Sequence, residues 1–206
     1  MEEASSRPPA GLPEAGAVRL AVGLGNPGDK YAGTRHNAGA ELLARLIARE
    51  GLEQPAPLRD LPLAVAGTAA GVRYALPSTY MNDSGAAVGP GCRYLDVEAR
   101  SLLVIHDEVD LPPGKAKLKF GGGHAGHNGL RDIDAQLGTS NYWRLRLGVG
   151  KPDDPRFELR DYVLARTDAE EAELIAEAGD RVLDAWDLVK AGEMDEAMRR
   201  INRRTP

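Results

Sequence analysis

The chain has 206 residues, 42% hydrophobic and 28% charged, enough for one ordinary domain with a buried core. No apolar run approaches the ~20 residues needed to cross a bilayer, and the single cysteine, Cys92, rules out an intrachain disulfide. A formal net charge of −5 argues against indiscriminate nucleic-acid binding, yet residues 111–151 hold seven basic and two acidic residues, which suggests a confined anion site.

Residues 1–17 are rich in Pro, Ala and Gly, lack apolar periodicity and lack the features of a secretory signal. They are expected to form a disordered tail ahead of one domain spanning 18–206. Arg19–Leu24 reads as a short buried strand ending in glycines. Ala38–Glu50 follows as a helix, with Leu42, Leu43, Leu46 and Ile47 on one face, Asn37 as N-cap and Gly51 as terminator. Residues 51–60 read as a Pro-containing loop. Leu63–Ala66 and Val72–Leu76 look like two strands joined across glycines. Asn82–Leu95 is expected to be a helix weakened by Gly85, Gly89 and Gly91 and limited by Pro90.

Ser101–Ile105 (SLLVI) is the clearest strand, apolar on both faces. Lys115–Phe120 alternates, placing Lys115, Lys117 and Lys119 on one face and Ala116, Leu118 and Phe120 on the other. Asn128–Leu137 has helical spacing. Trp143–Val149 alternates again, with Arg144 and Arg146 on one face. Asp168–Lys190 and Glu193–Arg203 read as helices. Alternating strands and helices indicate an α/β class: a single domain with a mixed, mostly parallel twisted central sheet and helices on both faces.

Five segments carry residues suited to chemistry. Gly23-Leu24-Gly25-Asn26-Pro27-Gly28 matches the dinucleotide pattern, but no helix opens inside the glycine run, so a turn presenting Asn26 at a strand end is the better reading. His36, in Thr34-Arg35-His36-Asn37, lies on a strand-to-helix connection, and imidazole suits general-base work near neutral pH. Asp107, in the acidic run after SLLVI, is placed to orient an imidazole from a neighbouring loop. The same run also reads as plain solvation of a strand end, or as part of a metal set of His106, Asp107 and Asp110 with His124 or His127. The glycine-rich segment 121–129 brings backbone amides and His127-Asn128 to a helix start, and Asn82 sits at another loop-to-helix junction. Asparagine amides bind a peptide backbone without adding charge. No Gly-x-Ser-x-Gly elbow occurs and Cys92 has no histidine nearby in sequence, which disfavours a covalent hydrolase. What remains is equipment for water attack on an activated acyl group.

These segments, from Gly23-Leu24-Gly25-Asn26-Pro27-Gly28 and Tyr31 through Met81-Asn82-x-Ser84-Gly85 and His106-Asp107-Glu108-x-Asp110 to Gly126-His127-Asn128-Gly129, resemble bacterial peptidyl-tRNA hydrolases in order and spacing over about residues 19–203. The resemblance implies a monomeric cytoplasmic enzyme that cleaves the ester between a peptide and the 3′ ribose of tRNA, recycling tRNA from aborted translation. It implies His36 as base, Asp107 as its orienter, and Asn26, Asn82 and Asn128 as binders of the peptide and carbonyl. Tyr31, Met81 and His127 then line the substrate path. Lys119 and Arg146 match a pair gripping the tRNA 5′-phosphate, with Lys117 on the basic surface nearby. The implied partner is peptidyl-tRNA through its acceptor stem, 3′ CCA end and 5′-phosphate; neither cofactor nor metal is implied. Tyr80 and Asp83 depart from the family pattern around Met81-Asn82, as does Lys151-Pro152-Asp153. Two rivals stay open: a non-catalytic RNA-binding relative of the same fold, and a metal-dependent hydrolase.

Overall fold

A computed structural model describes residues 17–68, 70–152, 154 and 156–203. The tail expected at 1–17 lies outside these residues except for Ala17, which is exposed. The strands are β1 (Leu20–Gly23), β2 (Ala56–Pro57), β3 (Leu63–Ala66), β4 (Arg73–Pro77), β5 (Leu102–Glu108), β6 (Ala116–Phe120) and β7 (Trp143–Gly148), with β-branched and aromatic residues in β5 and β7 favouring the extended form. Helices are α1 (Ala38–Arg49), α2 (Ser84–Tyr94), α3 (Asn128–Leu137), α4 (Leu159–Leu164), α5 (Ala169–Ala191) and α6 (Met194–Ile201). None is long and apolar enough to cross a membrane among the described residues.

The seven strands form one sheet in the order β2-β3-β4-β1-β5-β7-β6. Its centre, β4-β1-β5-β7, is parallel, and β2, β3 and β6 pair antiparallel at the edges. Helices cover both faces. On one side Leu43, Leu46 and Ile47 of α1, with Val182, Trp186 and Val189 of α5, pack on Ala21, Leu103, Ile105 and Leu145. On the other, Ala87, Val88 and Cys92 of α2, with Leu130 and Ile133 of α3, pack on Leu20, Val22 and Val104. The α/β expectation with a mixed, mostly parallel sheet therefore stands.

Several boundaries differ from the sequence reading for identifiable reasons. The central strand β5 does not stop at Ile105: all seven of its residues are buried, and it carries His106, Asp107 and Glu108 into the sheet. Parallel pairing with β7 runs as far as Glu108 opposite Gly148. The expected loop 51–60 contains the exposed edge strand β2, where Pro57 is tolerated because an edge residue need not donate to the ladder. Helix α2 runs through Pro90 instead of ending there. The missing donor would have served the carbonyl of Ala86, which is exposed and can turn to water. A tight turn over Met81–Asp83 precedes that helix. Asn37 does not cap α1 with its side chain; its amide is engaged elsewhere. The long helix α5 begins with a complete capping box, Asp168 and Glu171 bonding each other's backbone N–H.

Helix α1 approaches the sheet closely because Gly39 has no side chain. A Cβ there would lie 2.2 Å from the Ile105 carbonyl oxygen and 2.9 Å from that of Leu24. This contact sets how near the start of α1 comes to β5. Gly39→Ala is expected to lower the melting temperature by roughly 3–10 °C, since overpacking costs ~1–3 kcal/mol and each kcal/mol is worth about 2–4 °C at this size. Thermal denaturation of both proteins checks it; an unchanged Tm would show that α1 can back away freely.

Candidate active site

A cleft of about 360 Å³ opens at the carboxyl ends of β1 and β5. This is where ligands bind in open α/β sheets. Asn26, Tyr31, His36, Met81, Asn82, Asp107, His127 and Asn128 all line it, so every residue expected in catalysis or substrate binding meets in one place. Residues up to 102 positions apart in sequence are thus gathered by β5 and by the segments that follow β1, β4 and β6.

The centre is Asp107, 2% exposed. Its carboxylate accepts from Nδ1 of His36 at 2.9 and 3.0 Å and from Nε2 of His127 at 3.0 Å. Burial alone would push this carboxyl up, but the charge interactions and hydrogen bonds of His127 and His36 outweigh it and hold the group well below the usual carboxylate range. The two imidazoles differ in what is left over. Nδ1 of His127 accepts the N–H of Leu130 at 3.3 Å, so both its nitrogens are engaged. Among the described residues Nε2 of His36 has no partner, and its ring lines the cleft.

His36 sits on the tight turn Arg35–Asn37, which is pinned on both sides. The Arg35 guanidinium is buried, donates to the carbonyls of Tyr162, Ala165 and Arg166, pairs with Glu171 and stacks on the Tyr162 ring. The Asn37 amide brackets the backbone of Asn26, accepting its N–H at 2.8 Å and donating to its carbonyl at 2.9 Å. Asn26 in turn accepts the Met81 N–H through Oδ1 at 2.8 Å, which leaves its Nδ2 donor for the cleft. Tyr31 meets Tyr80 edge to face at the rim.

Four features go beyond the sequence reading, one as a new element and three as residues in other roles. Helix α4 supplies a whole wall through Leu159, Arg160, Val163 and Leu164; the apolar i, i+4 pair Leu159 and Val163 was the signal available. Glu108 also lines the cleft. His106 is fully buried beneath His127, with ring centroids 5.0 Å apart, and donates Nδ1–H to the Asp107 carbonyl. Asn37 holds Asn26, as described above.

The basic strands divide. Lys117 and Lys119 are exposed and make no ion pair among the described residues. Arg146, their neighbour across the ladder, is bonded to Glu108 at 2.9 Å. Arg144 is 2% exposed and holds the glycine-rich loop through the Gly123 carbonyl at 2.7 Å and α3 through Asp134 at 3.2 Å. Its place on the basic stripe is therefore structural. The metal set considered from sequence is not assembled: Asp110 pairs with Lys151, and His124 accepts the Gly126 N–H. Among the described residues, the three groups close enough to share an ion are His36, Asp107 and His127. Their facing atoms are already joined by N–H donors to one carboxylate, which suits hydrogen bonding better than ligation.

Burial, and then the proximity of His127, push the His106 imidazole down to about 3. The unfolded chain therefore binds more protons between that value and the ordinary ~6.5, so stability falls as pH drops through this window. From pH 7 to 5 His106 alone is expected to remove about 2 kcal/mol. His106→Asn, whose amide can still donate to the Asp107 carbonyl, should flatten that slope. Urea unfolding at pH 7, 6 and 5 reads it; parallel slopes would show that His106 protonates without opening the fold.

The sequence profile of the peptidyl-tRNA hydrolase family matches residues 20–206. Proteins named peptidyl-tRNA hydrolase from Aromatoleum aromaticum and Nitrosomonas eutropha are 47% and 46% identical over 190 and 189 residues, covering 92% and 91% of this chain and 96% of each relative. The crystal structure of peptidyl-tRNA hydrolase from Acinetobacter baumannii matches with a TM-score of 0.85 at 37% identity, covering 92% of this chain and 97% of that one.

Proposed function

The chain belongs to the peptidyl-tRNA hydrolase family and is an enzyme of that class; we propose that it cleaves the ester joining a peptide to the 3′ ribose of tRNA with His36 as general base. The observation that carries this reading is the one imidazole nitrogen in the cleft without a partner among the described residues, Nε2 of His36, on a ring whose other nitrogen donates to Asp107. Nε2 takes a proton from water as the water oxygen attacks the peptidyl carbonyl. Asp107 stabilises the imidazolium so formed. Charge building on the carbonyl oxygen is met by neutral amide donors, Nδ2 of Asn26 and the Asn82 amide. The proton then passes from His36 to the departing ribose oxygen. Asn128, Met81 and Tyr31 hold the peptide, with His127 beside them. The role falls in the cytoplasm, where peptidyl-tRNA released from stalled or aborted translation is recycled.

An acidic protein holds a polyanion through local charge. Lys117 and Lys119 are free to meet phosphates of the acceptor stem, Lys119 and Arg146 gripping the 5′-phosphate, while phosphate contacts position and the peptide end selects the bond. Arg146 does so in competition with Glu108.

The assay is release of free tRNA from N-acetyl-aminoacyl-tRNA, with unblocked aminoacyl-tRNA as control and EDTA added in parallel to expose a metal requirement. His36→Ala should lower kcat by at least ~10²–10⁴ while substrate binding survives. A wild-type kcat in that variant removes His36 from the mechanism, whereas no turnover by the wild-type protein favours the non-catalytic RNA-binding reading.

Lys119→Glu should raise KM for full-length substrate and flatten its salt dependence by roughly one phosphate contact. A substrate carrying only a short 3′ RNA fragment should not respond. Equal losses on both substrates would sink the phosphate assignment.

A further inference from the structure

His127 lines the cleft and also caps a helix. It is the N-cap of α3, and its Nδ1 accepts the N–H of Leu130, two residues beyond Asn128. A nitrogen that accepts carries no proton, so the proton of this ring is on Nε2. That is the nitrogen 3.0 Å from Asp107 Oδ1. One side chain therefore ties the start of a helix to the carboxylate that holds His36. Ser, Thr, Asp and Asn are the usual caps, each with one short polar arm. A histidine cap is unusual in having a second nitrogen pointing away from the helix.

We propose that His127 is a positioning residue whose tautomer is set by its helix cap, so that it serves as a fixed second donor to Asp107 and keeps that carboxylate's remaining basicity matched to His36. The inference rests on the general-base reading of His36 and adds to it how that base is tuned. Asp107 has one negative charge and two imidazole donors. The capped donor takes a constant share, and His36 takes the rest. Removing the capped donor concentrates the charge on His36, which then holds a proton more tightly. The acid limb of the kcat/KM profile should then move to higher pH.

The other groups facing this pair are Glu108, already bonded to Arg146, His106 behind His127, and Tyr31 and Arg160 across the cleft. None of them is altered chemically when position 127 alone is changed, and His106, which packs on the His127 ring, is the one that loses a neighbour.

Two substitutions separate the cap from the donor. Asn places its amide where Nδ1 sits, and Gln places its amide near Nε2. His127→Asn keeps a good cap but is too short to reach Asp107; His127→Gln reaches Asp107 but caps poorly. In His127→Asn the acid limb of kcat/KM is expected about 0.5–1 pH unit above wild type with Tm nearly unchanged. In His127→Gln the limb should return close to wild type while Tm falls. A purely structural role would move Tm and leave the limb in place, so a His127→Asn limb superimposed on wild type overturns the proposal. Nitrogen-15 NMR of the wild-type imidazoles at pH 7.5 tests it without activity or variants: an Nε2–H tautomer at His127 is expected, and an Nδ1–H tautomer overturns the proposal. Loss of hydrolysis in every assay would instead defeat the reading of His36, and the NMR result would still stand by itself.

Discussion

A buried carboxylate organises this molecule. An ionised group removed from water costs several kcal/mol unless it is paired and hydrogen-bonded. Asp107 lies inside the central sheet, at the end of a strand whose every residue is buried. Its partners are imidazoles delivered from opposite faces: His36 from the turn before α1, His127 from the cap of α3. The α1 side can reach only because Gly39 lets the helix lie against β5. The α3 side can reach because the glycine-rich loop folds back and is held by Arg144. The same contacts that meet the cost of burying the charge assemble the site.

Much of this was legible because it follows from local pattern. The SLLVI run, the alternation in 115–120 and 143–149, and the helical spacing in 38–50 and 128–137 all reappear as elements. The family resemblance supplied the grouping of residues in the cleft, which spacing alone does not give. What could not be read depends on pairing across the fold. The end of β5 looked like a solvated acidic run because nothing local tells that parallel pairing with β7 continues to Glu108. Asn37 looked like a cap because capping is the local option; the backbone of Asn26, eleven residues away in sequence, proved the stronger partner. Helix α4 is one short turn-and-a-half whose place is set by Arg35 from far along the chain.

Charge counting was similarly incomplete. The segment 111–151 is strongly basic in sequence, but Arg144 is spent on Asp134 and a carbonyl, and Arg146 on Glu108. The cationic surface that remains is smaller, with the exposed Lys117 and Lys119 on the edge strand β6 and the exposed Arg131 on α3. An edge strand with exposed lysines also resists pairing with another chain, so one feature serves solubility and anion binding together.

The difference between the two histidines is one of leftover capacity rather than distance. Each lies about 3 Å from the same carboxylate, and each lines the same cleft. Proximity to Asp107 would make both equal candidates for a base. The backbone decides between them. The N–H of Leu130 is a helix-terminal donor with no carbonyl to serve it, and it takes the second nitrogen of His127. His36 lies on a turn held by the Arg35 N–H on the Ala165 carbonyl and the Asn37 N–H on that of Thr34, and among the described residues nothing takes its second nitrogen, which stays available to a reacting molecule. A helix end that needs a cap thus turns one of two similar imidazoles into a support and leaves the other as the base.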